Sequence, residues 1–154
     1  MEKQNIVYRK AEQSDIPHLV ELRKLQLHDE GAEATCDITQ SLSNFFTWNL
    51  ANGAFVSWLA VIDDKVIATS GITFTEKPPY YNNPTGRIGI LSNMYTAPEY
   101  RRCGIAKKLL ELIVDEARER GYEVIQLTAS DDGALLYENF GFERNSNFFQ
   151  YKQD

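Results

Sequence analysis

Two clusters in this 154-residue sequence have residue types and spacings that could do chemistry. The first is Arg101-Arg102-Cys103-Gly104-Ile105-Ala106, which opens directly into the amphipathic run from Lys107 to Ile113. A helix start offers unpaired backbone N–H groups and a partial positive charge, and a residue without a Cβ lets a ligand approach that backbone closely. Two arginines beside Gly104, with small Ala106 two positions on, therefore suit a phosphate group. The sequence has no G-K-[ST] P-loop and no G-x-G-x-x-G fingerprint, so the common nucleotide motifs are excluded. Taken alone, one glycine among solvated arginines reads equally well as a plain helix start. The second cluster is Ser130-Asp131-Asp132-Gly133-Ala134-Leu135-Leu136-Tyr137-Glu138-Asn139-Phe140-Gly141-Phe142. Taken alone, its tyrosine is most simply a core aromatic ahead of a glycine turn.

The elements that position these clusters follow from periodicity and punctuation. A first strand is expected over Asn5 to Lys10. Ser14 and Asp15 then supply capping groups, and Pro17 fits a first turn ahead of helically spaced Ile16, Leu19, Val20, Leu22, Leu25 and Leu27. A second helix is expected from Thr39 to Leu50, stopped by Asn52-Gly53. Phe55 to Ile62 and Val66 to Phe74 read as a hairpin around Asp63-Asp64-Lys65. Glu76 to Gly86, rich in Pro, Tyr and Asn, reads as a loop, and Arg87 to Thr96 as a strand. The helix from Cys103 to Arg120 would bury Ile105, Leu109, Leu112, Ile113 and Ala117 and stop at Gly121. A strand at Val124 to Thr128, a helix at Gly133 to Asn139 and a closing strand or pair from Phe142 complete the order. The result is a mixed α+β fold in one domain spanning residues 1–154, with a parallel crossover from Arg87 to Thr128.

Composition narrows the function classes. A formal charge of −6 argues against non-specific nucleic-acid binding, which needs many Lys and Arg to neutralise phosphates. The uncharged stretch from Ile38 to Ile62 is broken by Gln40, Asn44, Asn49, Asn52 and Gly53, so it is not expected to span a membrane. Met1-Glu2-Lys3-Gln4-Asn5 lacks an apolar leader. Cys36 and Cys103 have neither metal-ligand spacing nor a disulfide framework. The expectation is a cytoplasmic protein with free thiols and no metal.

Considered together, the clusters carry a resemblance. Arg101-x-x-Gly104-x-Ala106 is similar to the Gln/Arg-x-x-Gly-x-Gly/Ala signature of the GCN5-related N-acetyltransferases. Leu136-Tyr137-Glu138-Asn139-Phe140-Gly141-Phe142 resembles that family's terminal Leu-Tyr-Glu-x-x-Gly-Phe motif. The opening Tyr8-Arg9-Lys10-Ala11 with Ser14-Asp15-Ile16 is similar to its first strand and helix, so the likeness runs over the whole chain. It implies a central, mostly antiparallel sheet with a parallel splay between the fourth and fifth strands, flanked by helices.

It also implies acetyl-CoA as co-substrate, held in that splay. Backbone groups of Met94, Tyr95 and Thr96 would meet the pantetheine arm. N–H groups from Arg102 through Cys103, Gly104, Ile105 and Ala106 to Lys107 would hold the pyrophosphate, with Arg101 and Arg102 adding charge. Tyr137 aligns with the family's usual general acid, a phenol that donates a proton to the departing thiolate. Where many members carry an asparagine that contacts the cofactor, this chain has Ser130.

The acceptor would be a primary amine on a small molecule or peptide, shaped by the loops at Cys36 to Gln40 and Glu76 to Gly86, with Pro78-Pro79-Tyr80-Tyr81 as one candidate wall. Candidate general bases are His28, Glu33, Asp37, Asp131 and Asp132, each also readable as a solvated surface group. Cys103 occupies a variable position of the loop at the far end of the cofactor from the acyl group, which argues against a covalent thioester route. The alternatives are a non-catalytic acyl-CoA-binding or regulatory module, and a transferase to oxygen or of longer acyl groups. A homodimer is common among relatives, and the sequence leaves the oligomeric state of this chain open.

Overall fold

The computed structural model of the protein describes residues 5–145 and 147–153. Its elements are β1 (Val7–Lys10), α1 (Ile16–Asp29), α2 (Thr39–Asn52), β2 (Phe55–Val56), β3 (Trp58–Ile62), β4 (Lys65–Glu76), β5 (Arg87–Thr96), α3 (Ile105–Glu119), β6 (Val124–Gln126) and α4 (Asp131–Phe140). The strands form one sheet in the order β1-β3-β4-β5-β6, with β2 also on β4. Every pairing is antiparallel except β5 with β6, which is parallel.

Local chemistry explains the hairpins. Asp63 and Asp64 both take left-handed φ, 48° and 62°, between the paired Ile62 and Lys65. A two-residue turn of this hand matches the right-handed twist of the strands, and Asp tolerates it better than most residues. Lys65 therefore belongs to β4 and not to the turn. The single strand expected from Phe55 to Ile62 breaks at Ser57. There Ser57 Oγ donates to the Ser70 carbonyl at 2.5 Å, and Ser70 Oγ donates to the Trp58 carbonyl at 2.9 Å. These bonds carry both halves on β4, and the fourth and fifth strands of the sequence reading become β5 and β6.

Successive strand residues point to opposite faces. Leu59 and Val61 join Ile16, Leu19, Val20 and Phe46 beneath α1 and α2. Ala60 and Ile62 meet Ile105 and Leu109 of α3, and Leu110 and Ile113 pack on Val56, Ile72 and Leu91 farther along. The buried face of α3 differs from expectation: Leu110 and Glu116 are buried and Leu112 is only half-buried. Glu116 is taken in because Lys10 of β1 pairs with its carboxylate.

Asp15 does not cap α1 through its side chain. Its carboxylate accepts from the Glu12 N–H at 2.7 Å and from Arg9 Nη1 and Nη2 at 2.8 and 2.9 Å. The Arg9 hydrogen bonds hold the Asp15 carboxyl below its usual value, against the opposing effect of burial. Arg9→Ala leaves that buried carboxylate without its cation and should destabilise the fold by about 2 kcal/mol in urea unfolding. Because the folded-state pKa is the lower one, Asp15 contributes stability above the ordinary carboxylate value near ~4, and this is lost as pH falls through the folded value. Acid unfolding curves of wild type and variant should converge there.

The closing strand expected from Phe142 onward is absent among the described residues. Phe142 closes α4, its N–H donating to the Tyr137 carbonyl at 2.9 Å, and its ring packs against Tyr137 and Phe140. The described remainder forms no helix or strand, with Phe148, Phe149 and Tyr151 exposed, and among the described residues β6 pairs with β5 alone. No helix among the described residues is long and apolar enough to cross a membrane.

Candidate functional site

The parallel β5–β6 pairing runs only from Ile88 with Val124 to Ile90 with Gln126. Beyond Ile90, β5 continues to Thr96 bonded to β4 alone. The cause lies in a bulge: Gly71 faces Ser92 and Thr69 faces Tyr95, so Ser70 opposes both Asn93 and Met94. Asn93 takes φ 58°, and Thr69 Oγ1 donates to its carbonyl at 2.8 Å. A bulge bends its strand and sharpens the local twist, which turns the end of β5 away from β6. The chain after β6 meanwhile turns off through residues 127–130 into α4.

The gap between the two strands holds a cavity of about 160 Å³. Gln26 of α1 and Glu30 just past its end line it from one side, Ser92 and Met94 from β5, and Ser130 and Tyr137 from the α4 side. A larger groove of about 820 Å³ shares Thr128 and Tyr137 with it and runs along β6 toward Lys77 and Phe148. Tyr137 is thus common to both spaces. Its ring lies edge-on to Phe142 at 5.8 Å. Burial, and secondarily the negative charge of Glu30, push its phenol up to about 12.

The loop ahead of α3 has the backbone of an anion cradle. Arg102 and Gly104 take left-handed φ, 63° and 79°, on either side of Cys103. The first helical bond is from Lys108 N–H to the Gly104 carbonyl at 3.1 Å, which leaves the N–H groups of Ile105, Ala106 and Lys107 without a helical acceptor. A Cβ built on Gly104 would meet nothing within 4 Å, so the space above the loop is open. Successive N–H groups in such a turn form a concave donor set for anions.

The predicted residues divide by what their side chains do. Arg101 is a brace: its Nε donates to the Thr96 carbonyl at 2.8 Å, its Nη2 to Asp29 at 2.9 Å, and its guanidinium lies 5.5 Å from the Tyr95 ring centroid. It ties the end of α1 to the end of β5. Cys103 is exposed, with Sγ 3.5 Å from the Arg101 carbonyl. Ser130 caps α4, accepting from the Gly133 N–H at 3.3 Å, so its place in the motif has a structural reason as well as a cavity-lining one.

Of the five candidate bases, none lines the smaller cavity. Asp37 is used by Thr39, whose N–H and Oγ1 both donate to it, and Asp131 lines the larger groove. Tyr80 and Tyr81 also stand outside both spaces, Tyr81 fully exposed at its loop tip. The sequence reading missed Glu30. Its signal was available in part, since Arg23, Gln26 and Glu30 recur at helical spacing on one face of α1. Among the described residues no group of His, Cys, Asp or Glu is arranged to hold a metal ion.

Comparison with known proteins places this architecture. The family model for the Acetyltransferase (GNAT) family matches residues 19–142. A predicted acetyltransferase of Clostridium acetobutylicum, solved with acetyl-CoA, is 42% identical over 96% of both chains and superposes with a TM-score of 0.93. A GCN5-related N-acetyltransferase from Ralstonia eutropha shares the fold at 22% identity, with 96% and 99% of the two chains covered and a TM-score of 0.90. Among curated proteins, the uncharacterized N-acetyltransferase YsnE of Bacillus subtilis is 36% identical over 73 residues, 44% of this chain and 48% of that one. The chain spans about half the length, or less, of the curated relatives it matches. With the splay, the loop and the terminal tyrosine motif all present, the chain belongs to the GNAT family of acetyltransferases.

Proposed function

We propose that the protein transfers an acetyl group from acetyl-CoA to a primary amine by direct attack, with Tyr137 as proton donor. One observation carries this reading. The open N–H groups at the start of α3 follow the end of β5 in the chain, and the phenol of Tyr137 lines the cavity where β5 parts from β6. Residues Arg102, Cys103, Gly104, Ile105, Ala106 and Lys107 would hold the pyrophosphate through backbone N–H groups. The backbone of Met94, Tyr95 and Thr96, freed from β6 by the bulge, would pair with the pantetheine arm and polarise the acyl carbonyl. Arg101 supports the site as a brace, and the exposed Arg102 adds positive charge to the loop. Ser130, with its oxygen occupied by Gly133, keeps a hydroxyl proton to donate into the cavity. Acetyl-CoA supplies an activated carbonyl and a thiolate leaving group.

Release of CoA thiol across a panel of primary amines, with thermal unfolding followed in parallel with and without acetyl-CoA, tests the reading. Amine-dependent thiol release is expected. Stabilisation by acetyl-CoA with no release across a broad panel would support a binding module instead, and release with alcohols or longer acyl donors would move the assignment to those transferases.

The described tail favours a homodimer. Among the described residues, exposed Phe148, Phe149 and Tyr151 lie on a segment without a strand partner, and β6 is a sheet edge that such a segment from a second copy would complete. Sedimentation equilibrium should give twice the chain mass, and replacing the three aromatics with serine should return a monomer. A monomeric wild type at micromolar concentration would contradict this.

A further inference from the structure

We infer that Glu30 is the group that binds the cationic acceptor amine and takes its proton. The inference rests on the amine-acetylation reading and names the chemistry of the side opposite Tyr137. Glu30 follows α1, whose Ile16, Leu19 and Val20 pack on one face of the sheet, and Tyr137 lies on α4, which packs with α3 on the other; both line the cavity where β5 parts from β6. An acyl carbon placed in that opening lies between a proton acceptor and a proton donor.

The setting of Glu30 supports a role beyond stability. A carboxylate at a helix C-terminus meets the negative end of the dipole and disfavours the helix. Its neighbour Asp29 offsets this with Arg101, whereas Glu30 has no ion pair among the described residues. What it has is orientation. Gln26, buried beneath the cavity, donates from Nε2 to Glu30 Oε1 at 3.2 Å, and Arg23 Nη1 donates to Gln26 Oε1 at 3.0 Å. The Arg23–Gln26–Glu30 row holds Oε1 of a carboxylate that lines the cavity, and Oε2 takes no hydrogen bond among the described residues. Arg23 and Gln26 are positioning residues. The other cavity-lining residues, Ser92, Met94, Thr128 and Ser130 among them, carry no charge, so among the described residues Glu30 alone lines it with a negative charge.

Glu30 accepts one proton from the ammonium and returns it to solvent. The freed nitrogen lone pair attacks the thioester carbonyl carbon, a C–N bond forms, and the C–S bond breaks with its electron pair on sulfur. The nitrogen's second proton passes to solvent as the amide forms, Tyr137 gives its proton to the sulfur, and the phenolate regains one from solvent, so that one proton is released overall. The acceptor class is therefore an amine that is protonated near neutral pH.

The test compares Glu30→Gln and Glu30→Asp with wild type on two probes, n-butylamine, which is protonated near neutral pH, and O-methylhydroxylamine, which is already neutral there. Glu30→Gln should lower kcat/KM for n-butylamine about 10²-fold or more, the scale of a lost acid–base group, and for O-methylhydroxylamine less than about tenfold. Glu30→Asp should recover part of the n-butylamine rate, and acetyl-CoA should raise the unfolding temperature of all three proteins equally. Equal losses on both probes, or wild-type rates in Glu30→Gln, would overturn the assignment while leaving amine acetylation standing. Wild type acetylating neither probe, with acetyl-CoA still stabilising it, would overturn both.

Discussion

Tyr137→Phe is expected to lower kcat about 10²-fold while changing acetyl-CoA affinity by less than about threefold. The phenylalanine keeps the ring that packs edge-on against Phe142, so the apolar cluster beneath α4 survives and only the hydroxyl is lost. The phenol's position near about 12 sharpens what that hydroxyl does. It carries its proton throughout the range in which enzymes are assayed, so it is always able to donate. It is also a weaker acid than a thiol of pKa near ~8.5, so full transfer to a solvated thiolate would be uphill. The burial that raises the phenol equally disfavours a bare thiolate in the same gap, which narrows that mismatch. The pH–rate profile should accordingly show no alkaline limb from Tyr137 between pH 8 and about 10. Wild-type turnover in Tyr137→Phe would remove Tyr137 from the chemistry.

The second large effect is expected at the start of α3. Gly104→Ala should weaken acetyl-CoA binding about 10- to 100-fold in calorimetry, equivalent to one or two charge-assisted hydrogen bonds. Gly104 takes φ 79°, so the added Cβ strains the backbone by about 1–2 kcal/mol, and the fold should tolerate this. That Cβ meets no protein atom within 4 Å, so it projects into the space assigned to the pyrophosphate. A large affinity loss with a modest drop in unfolding temperature separates ligand exclusion from misfolding. Unchanged affinity would place the pyrophosphate elsewhere.

Much of this site was legible in the sequence because its motifs are local. The turn at Arg101 to Ala106 and the helix carrying Tyr137 are each specified by neighbours a few residues away, as are the bounds of β5. The bulge at Asn93 was not legible, since it exists only in the register of β5 against β4. The identity of Glu30 as a cavity residue escaped for a similar reason: its partner across the gap lies on α4, far along the chain. Arg101 was expected at the phosphate by its motif position, yet its guanidinium is taken by Thr96 and Asp29, a contact to α1 that no local pattern announces. The expected closing strand failed because aromatic content at Phe148 to Tyr151 signals a surface to be covered without saying which strand covers it.

A crystal structure with acetyl-CoA measures the central claim most directly, through the distance from the thioester sulfur to Tyr137 Oη. The account predicts the pyrophosphate on the N–H groups of residues 102–107 and the sulfur within about 3.5 Å of that hydroxyl, between β5 and β6. A sulfur outside the splay, or a Tyr137 hydroxyl turned away from it, would contradict the account.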